Sequence, residues 1–457
     1  MSDSLPGTTL TSGISSTEAV QAIFSARSTV QRMLDVEAAL ARALATAGVI
    51  PAAAVDPCVR CCRADQIDIN ALTLAVPAAG NMAIPLVKQL TANVAAIDAD
   101  AARYVHFGAT SQDVIDTGRV LQLRDAMHAM THDLSVLADT LSLLARRYRD
   151  TPMIGRTWLQ HALPMTFGLK VAGWLDALLR HQQRLHDMSE QLCVLQFGGA
   201  SGTLASLGDR AWAVSQSIAD QLDLTLPSAP WHAHRDRFVE CATTLGMLTG
   251  TLGKIARDIA LMSQTEVAEL SEPDAHGRGG SSSMPHKRNP VGCAAVLSAA
   301  TRVPGLVAAM LSAMPNEHER ALGGWQAEWE TLPEIVSLSA AALAQLRSVI
   351  AGLQVDTQRM RSNIDASRGM VMAEAIVIEL AHGLGRAQAH QLVEAACRQA
   401  YSQQQDLLTV LQAEPQITSV LSKQRLAQLF DPLNYIGQAG HYVDRIIAAH
   451  EQHKAGG

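Results

Sequence analysis

The residues with the clearest capacity for chemistry lie in one stretch, Gly277-Arg278-Gly279-Gly280-Ser281-Ser282-Ser283-Met284-Pro285-His286-Lys287-Arg288-Asn289-Pro290. Glycines and serines come first, cations follow, and prolines close both ends of the charged part. Such a loop presents hydroxyls, backbone N–H groups and positive charge, an arrangement suited to receiving carboxylates. A plain linker has no reason to end in Met-Pro-His-Lys-Arg-Asn-Pro. The cysteines offer a second chemistry. Cys58, Cys61 and Cys62 form a CxxCC cluster, but no second CxxC or HxxxH completes a ligand set. Seven cysteines at scattered positions do not make a disulfide framework either, so a loop with reduced thiols and no metal is expected. Without a dinucleotide glycine fingerprint, no cofactor is expected.

These groups need a scaffold, and the proline spacing describes one. Residues 86–151, 165–226, 231–272 and 334–414 contain no proline, which leaves room for long helices. Leu245, Leu248, Leu252, Ile255, Ile259 and Met262 advance by alternating threes and fours, as do Leu134, Leu137, Leu141, Leu144 and Tyr148. That 3.5-residue repeat is the seam of a bundle helix. Period-two runs of β-branched residues are nearly absent, so the expected fold is all-α. Three regions are expected: an N-terminal helical domain over 1–110, with an amphipathic stretch at 30–44; a central bundle over 111–358; and a helical tail over 359–457. The tail is expected to turn at Asp431-Pro432 and break at Gly440.

The composition narrows the function classes. The chain has 457 residues, 48% of them apolar, and a net charge of −7, which argues against a general nucleic-acid binder. The first basic residue is Arg27, so no secretory signal is expected. The best apolar run, 71–87, is broken by Pro77, Gly80, Asn81 and Pro85, and no membrane span is expected. A soluble cytoplasmic protein follows as the expectation.

The string GSSSMPHKRNP resembles the signature GSSxMPxKxNP of the aspartase/fumarase superfamily, which includes adenylosuccinate and argininosuccinate lyases. Residues 106–113 (HFGATSQD) and 155–162 (GRTWLQHA) resemble its two other blocks in matching order, so the resemblance spans essentially the whole chain. It implies an all-α, three-domain homotetramer with each active site built from three subunits. It also implies removal of a proton α to a carboxylate and loss of a β-substituent, through a dianionic aci-carboxylate. By this resemblance Ser281 is the acid/base. A serine can serve only if backbone donors and a cation such as Lys287 stabilise its alkoxide. Thr110, Ser111, Lys287 and Asn289 are then donors to the intermediate. Arg156, Lys287 and Arg320 are cations for a small polycarboxylate. His106, Thr157, Trp158, Gln160, His161, Ser282 and Met284 complete the candidate binding set.

Departures from the adenylosuccinate lyase pattern narrow the reaction. The catalytic histidine that follows Arg-Thr in the lyase is Trp158 here, a second lyase histidine falls near Asn81, and an arginine of its phosphate-binding segment is Trp329. An enzyme without that general acid suits a leaving group that needs no proton. Amines and hydroxide need one; a carboxylate, with a pKa of about 4, does not. That points to a lactone, opened by elimination and closed by the reverse. Residues 319–330 and 33–43 also resemble the superfamily's lactone-forming cycloisomerases. The expected activity is therefore closure of a 3-carboxymuconate to a carboxymuconolactone. The alternatives are an elimination lyase such as adenylosuccinate lyase, or a non-catalytic homologue; intact Ser281, Lys287 and Asn289 argue against the latter. Arg235-Asp236-Arg237 is expected to cap and ion-pair a helix start. Trp158 and Trp329 either meet substrate or fill the core.

Overall fold

The computed structural model describes residues 10–274, 279–281, 283–284 and 286–456. Helix α1 (Ala26–Thr46) begins where the Ser25 hydroxyl accepts from the Ser28 N–H at 3.2 Å, an N-cap. Its inward face, Val30, Met33, Leu34, Leu40 and Leu44, is the expected amphipathic stripe and is buried. Five long helices follow: α2 (Ser111–Arg147), α3 (Phe167–Leu192), α4 (Asp236–Met262), α5 (Val291–Ala313) and α6 (Gly324–Ala351). The six seam residues of α4, Leu245 to Met262, are all buried, as are Leu134, Leu137 and Leu141 of α2. Gly253 lets α4 approach α5, since a Cβ there would lie 2.7 Å from the Ala300 Cβ.

Helices α5 and α6 run through Pro304 and Pro333, so proline spacing alone understated the helices. Both are also long and apolar enough to cross a membrane by length and composition, a test that the core helix of a soluble protein passes as well. Of the apolar window, 61% is buried in α6 but only 28% in α5. The Cys58–Cys62 cluster lies on and just after a short helix, Val55–Cys61, rather than in a loop. Its three thiols are buried, and burial pushes Cys58 up to about 11. Gly440 does not break the tail; it sits in the first turn of the helix Ala439–Gly456, with the end of the Arg149 side chain packed against it. The turn at Asp431-Pro432 is present, with the Asp431 carboxylate accepting from the Leu433 N–H.

Two short pairings interrupt the all-α architecture. Strands β1 (Pro152–Thr157) and β2 (Gln160–Thr166) form an antiparallel hairpin, while β3 (Leu270–Ser271) pairs with β4 (Gln354–Val355). The hairpin is poor in β-branched residues, which is why periodicity missed it. The chain divides into two compact units, Met1–Asp133 with His181–Gly253 and Ala295–Gln345, and Leu134–Arg180 with Lys254–Ala294 and Leu346–Gly457. Each change of unit falls inside one of the long helices.

Candidate active site

In the first unit the site is organised around Asp113, in the first turn of α2. Its wholly buried carboxylate accepts from the backbone N–H groups of Thr110, Gly198 and Gly199, each at 2.9 Å, and from His232 Nε2 at 2.7 Å. One side chain thereby fixes the start of a 37-residue helix and the Gly198–Gly199 segment together. Thr110 and Ser111 stand at that N-terminus, where uncompensated N–H groups and the helix dipole favour a carboxylate. Arg320 is brought to the same place: it donates from Nη1 to Thr110 Oγ1 and from Nε to Gln112 Oε1, both at 3.1 Å, and from Nη2 to the Gly199 carbonyl. All three acceptors are neutral, so its charge stays available for a ligand.

Behind this surface lies an ion cluster that holds α2, α4 and α6 of the unit together. Arg235 is fully buried, donates to Asp116 at 2.7 Å and Glu328 at 2.6 Å, and lies over the Trp231 and Phe238 rings at 5.1 and 4.9 Å. Burial works against its cation, but the two carboxylates outweigh it and its pKa is raised. The expected cap and ion pair are both present: the Arg235 carbonyl accepts from the Phe238 and Val239 N–H groups at the start of α4, and its guanidinium pairs in the core. Trp325 donates from Nε1 to Asp116 at 3.0 Å, and Trp329 packs edge-on against Trp325. His106 is turned to Glu37, Nδ1 to Oε1 at 2.5 Å; burial disfavours its cation, yet the charge of Glu37 raises its pKa. Glu37 was not among the expected residues, although a lone carboxylate within the apolar stripe of α1 was a readable signal.

In the second unit the block at 155–162 is the hairpin itself. Arg156 faces His161 and Thr157 faces Gln160 across the strands, and Trp158-Leu159 forms the two-residue loop. Both loop residues have positive φ, 53° and 63°, a conformation hairpin twist demands and bulky side chains resist. The Trp158 side chain is no core aromatic: the residue is 97% exposed. Arg156 donates to both Glu269 oxygens, at 2.9 and 2.7 Å, and Asn363 Nδ2 adds a third bond at 2.8 Å to this fully buried carboxylate. Arg156 is therefore already neutralised. His161 is held below its ordinary value by burial and then by Arg156.

The signature loop lies in the same unit and is pinned at its base. The Asn289 N–H and Nδ2 both donate to the Gly279 carbonyl, at 2.8 and 3.2 Å. Glu272 accepts from the Gly292 and Cys293 N–H groups at the start of α5. Within the loop, Ser281 Oγ accepts from the backbone N–H of Met284 at 3.1 Å and of Ser283 at 3.4 Å. These are the backbone donors a serine alkoxide requires. Lys287 and Met284 are exposed, and the Lys287 N–H donates to the Met284 carbonyl. Ser282 lies outside the described residues. Among those described, no group of three or more His, Cys, Asp or Glu is arranged to hold a metal ion.

The sequence itself has relatives. Residues 14–305 match the family described as Lyase, and residues 369–446 match Adenylosuccinate lyase C-terminus. The 3-carboxy-cis,cis-muconate cycloisomerase of Pseudomonas aeruginosa is 54% identical over 94% of each chain. The enzyme of that name from Bradyrhizobium diazoefficiens is 52% identical over 96% of this chain and 97% of its own. The crystal structure of 3-carboxy-cis,cis-muconate lactonizing enzyme from Pseudomonas putida superposes with a TM-score of 0.93, at 51% identity over 97% of this chain and 99% of that one.

Proposed function

Because the chain belongs to the lyase family of the aspartase/fumarase superfamily, we propose that it is a cycloisomerase that closes 3-carboxy-cis,cis-muconate to 4-carboxymuconolactone, a step of the β-ketoadipate route of aromatic breakdown. The distal carboxylate adds to the carbon bearing the 3-carboxylate, forming the ring C–O bond. The electron pair of the broken π bond moves onto the neighbouring carbon and into its carboxylate as the aci-form. Ser281 then delivers a proton to that carbon, and it takes the proton back in the reverse direction. The N–H groups of Met284 and Ser283 and the Lys287 cation hold the alkoxide that remains. Arg320, Thr110, Ser111 and Asn289 receive the carboxylate on which charge accumulates. Folding the substrate for intramolecular attack supplies part of the rate.

The observation that carries this choice within the family is Trp158. It occupies the hairpin tip, fully exposed, where an elimination releasing an amine would need an acid. A carboxylate leaving group needs none, and the indole is suited to cover a planar diene and exclude water. The reading includes a cytoplasmic homotetramer in which the Thr110–Arg320 group, the hairpin and the signature loop come from different subunits. The largely uncovered apolar surface of α5 supports assembly through that helix, in place of a membrane.

The test is an assay of diene absorbance with fresh 3-carboxy-cis,cis-muconate, with adenylosuccinate alongside and Ser281→Ala as control. Rapid loss with the first substrate alone, abolished in the variant, is the expected result. Turnover of adenylosuccinate instead would overturn the leaving-group argument.

A further inference from the structure

A cavity of about 1090 Å³ opens in the second unit along β2, lined by Gln160, His161, Val371 and Tyr401 together with two charged residues, Arg368 and Glu374. A tricarboxylate needs a cation near the hairpin, and Arg156 does not supply one, because Glu269 holds both arms of its guanidinium. Arg368 is differently placed. No carboxylate among the described residues pairs with it, and the residue is exposed into the cavity. Its backbone is fixed on both sides: its N–H donates to the Asp365 carbonyl at 2.8 Å, and its own carbonyl accepts from the Leu407 N–H at 3.0 Å. It adopts a φ of 51°, which arginine takes only at a cost. The next residue, Gly369, also has positive φ and abuts the Phe430 ring, where a Cβ would sit 2.4 Å from a ring carbon. A strained, doubly anchored arginine with a free fork is arranged to meet a ligand.

We propose that Arg368 is a specificity-determining residue, receiving one carboxylate of the tricarboxylate substrate in this cavity. The proposal rests on Gln160 and His161 being substrate-binding residues, as the functional reading has them. Glu374 lines the same cavity and repels a second anion, so the subsite takes one carboxylate and no more. The ring of Tyr401 and the side chain of Val371 cover the hydrocarbon beside it.

Arg368→Gln and Arg368→Lys test this directly, since an exposed side chain is replaced and the fold is checked by thermal melting. The glutamine variant should raise KM for 3-carboxy-cis,cis-muconate by about tenfold or more with kcat nearly unchanged, and lysine should restore part of the loss. Inhibition by tricarballylate should weaken by a similar factor, while inhibition by the dicarboxylate glutarate stays the same. An unchanged KM, or equal weakening of both inhibitors, would overturn the proposal. Calorimetric binding of tricarballylate reads the same contrast without turnover. Failure of the wild type to consume the muconate therefore sinks the functional reading alone, and the calorimetry still decides the role of Arg368.

Discussion

Arg119 donates from Nη2 to the backbone carbonyl of Trp329 at 3.2 Å, and Pro333, four residues further along α6, is the reason that carbonyl is free. A proline has no N–H to return to position i−4, so a helix that passes through one leaves an acceptor behind. Here a buried guanidinium satisfies it. Burial pulls Arg119 down to about 10, against the pull of Asp116 and then Glu328. The same side chain balances the negative charge left over when Arg235 pairs with both carboxylates.

That relationship predicts a coupling. Arg119→Met should destabilise the protein by about 1–3 kcal/mol, since an acceptor loses its donor and the cluster keeps an unbalanced charge. Pro333→Ala restores an N–H to Trp329, so the arginine should be worth roughly 1 kcal/mol less in that background. Urea unfolding of the two single variants and the double variant measures the difference. Strict additivity would mean that the carbonyl does not depend on Arg119.

His106 makes stability depend on pH with a definite sign. Its folded pKa is raised above 6.5, so its pairing with Glu37 contributes fully below the unfolded value. The contribution is lost as pH rises through the folded value. His161 is shifted the opposite way, so only the difference between wild type and a His106 variant isolates the effect. Asparagine tolerates the φ of 59° at this position. His106→Asn should be less stable than wild type at pH 6, with the gap narrowing toward pH 9 at one fixed protein concentration. A gap that widened with pH would show that His106 is neutral in the folded protein.

Much of this was legible in the sequence because it depends on local pattern. The three-and-four spacing of Leu245 to Met262 reports burial on one helix face, and those residues are buried. Thr110 and Arg320 were both named as candidates from matched segments, and the two side chains are hydrogen-bonded at the start of α2. What stayed hidden depends on pairing between distant residues. Nothing near Arg156 announces Glu269, 113 positions away, so the ion pair they form could not be read from the sequence. The hairpin was invisible for a related reason: its loop is built from Trp158 and Leu159 where asparagine and glycine normally signal the turn.

The base of the signature loop gives a sharper test of Ser281. Gly279 has a φ of 67°, and a Cβ there would lie 2.6 Å from the Asn289 carbonyl oxygen. Gly279→Ala should therefore open the Gly279–Asn289 closure and displace both the serine and the asparagine. The expected result is a fall in kcat of roughly tenfold or more. The thermal midpoint should move little, since the loop is solvent-facing. A large loss of stability with kcat preserved would place the glycine in folding rather than in the site.

Trp158 separates stability from function most cleanly. An indole that is 97% exposed contributes little burial to the chain that carries it, yet its backbone is held at positive φ. For a bulky residue that conformation costs roughly 1–2 kcal/mol, and asparagine at the first position of such a loop relieves most of it. Trp158→Asn should accordingly leave stability unchanged or raise it by about 1 kcal/mol, while KM for the muconate rises by about tenfold. The direction matters more than the size. A variant that is less stable and equally active would mean that the indole holds the assembly together and never meets substrate. A variant that gains stability and loses affinity would mean that the strain at the tip is maintained for the ligand it covers.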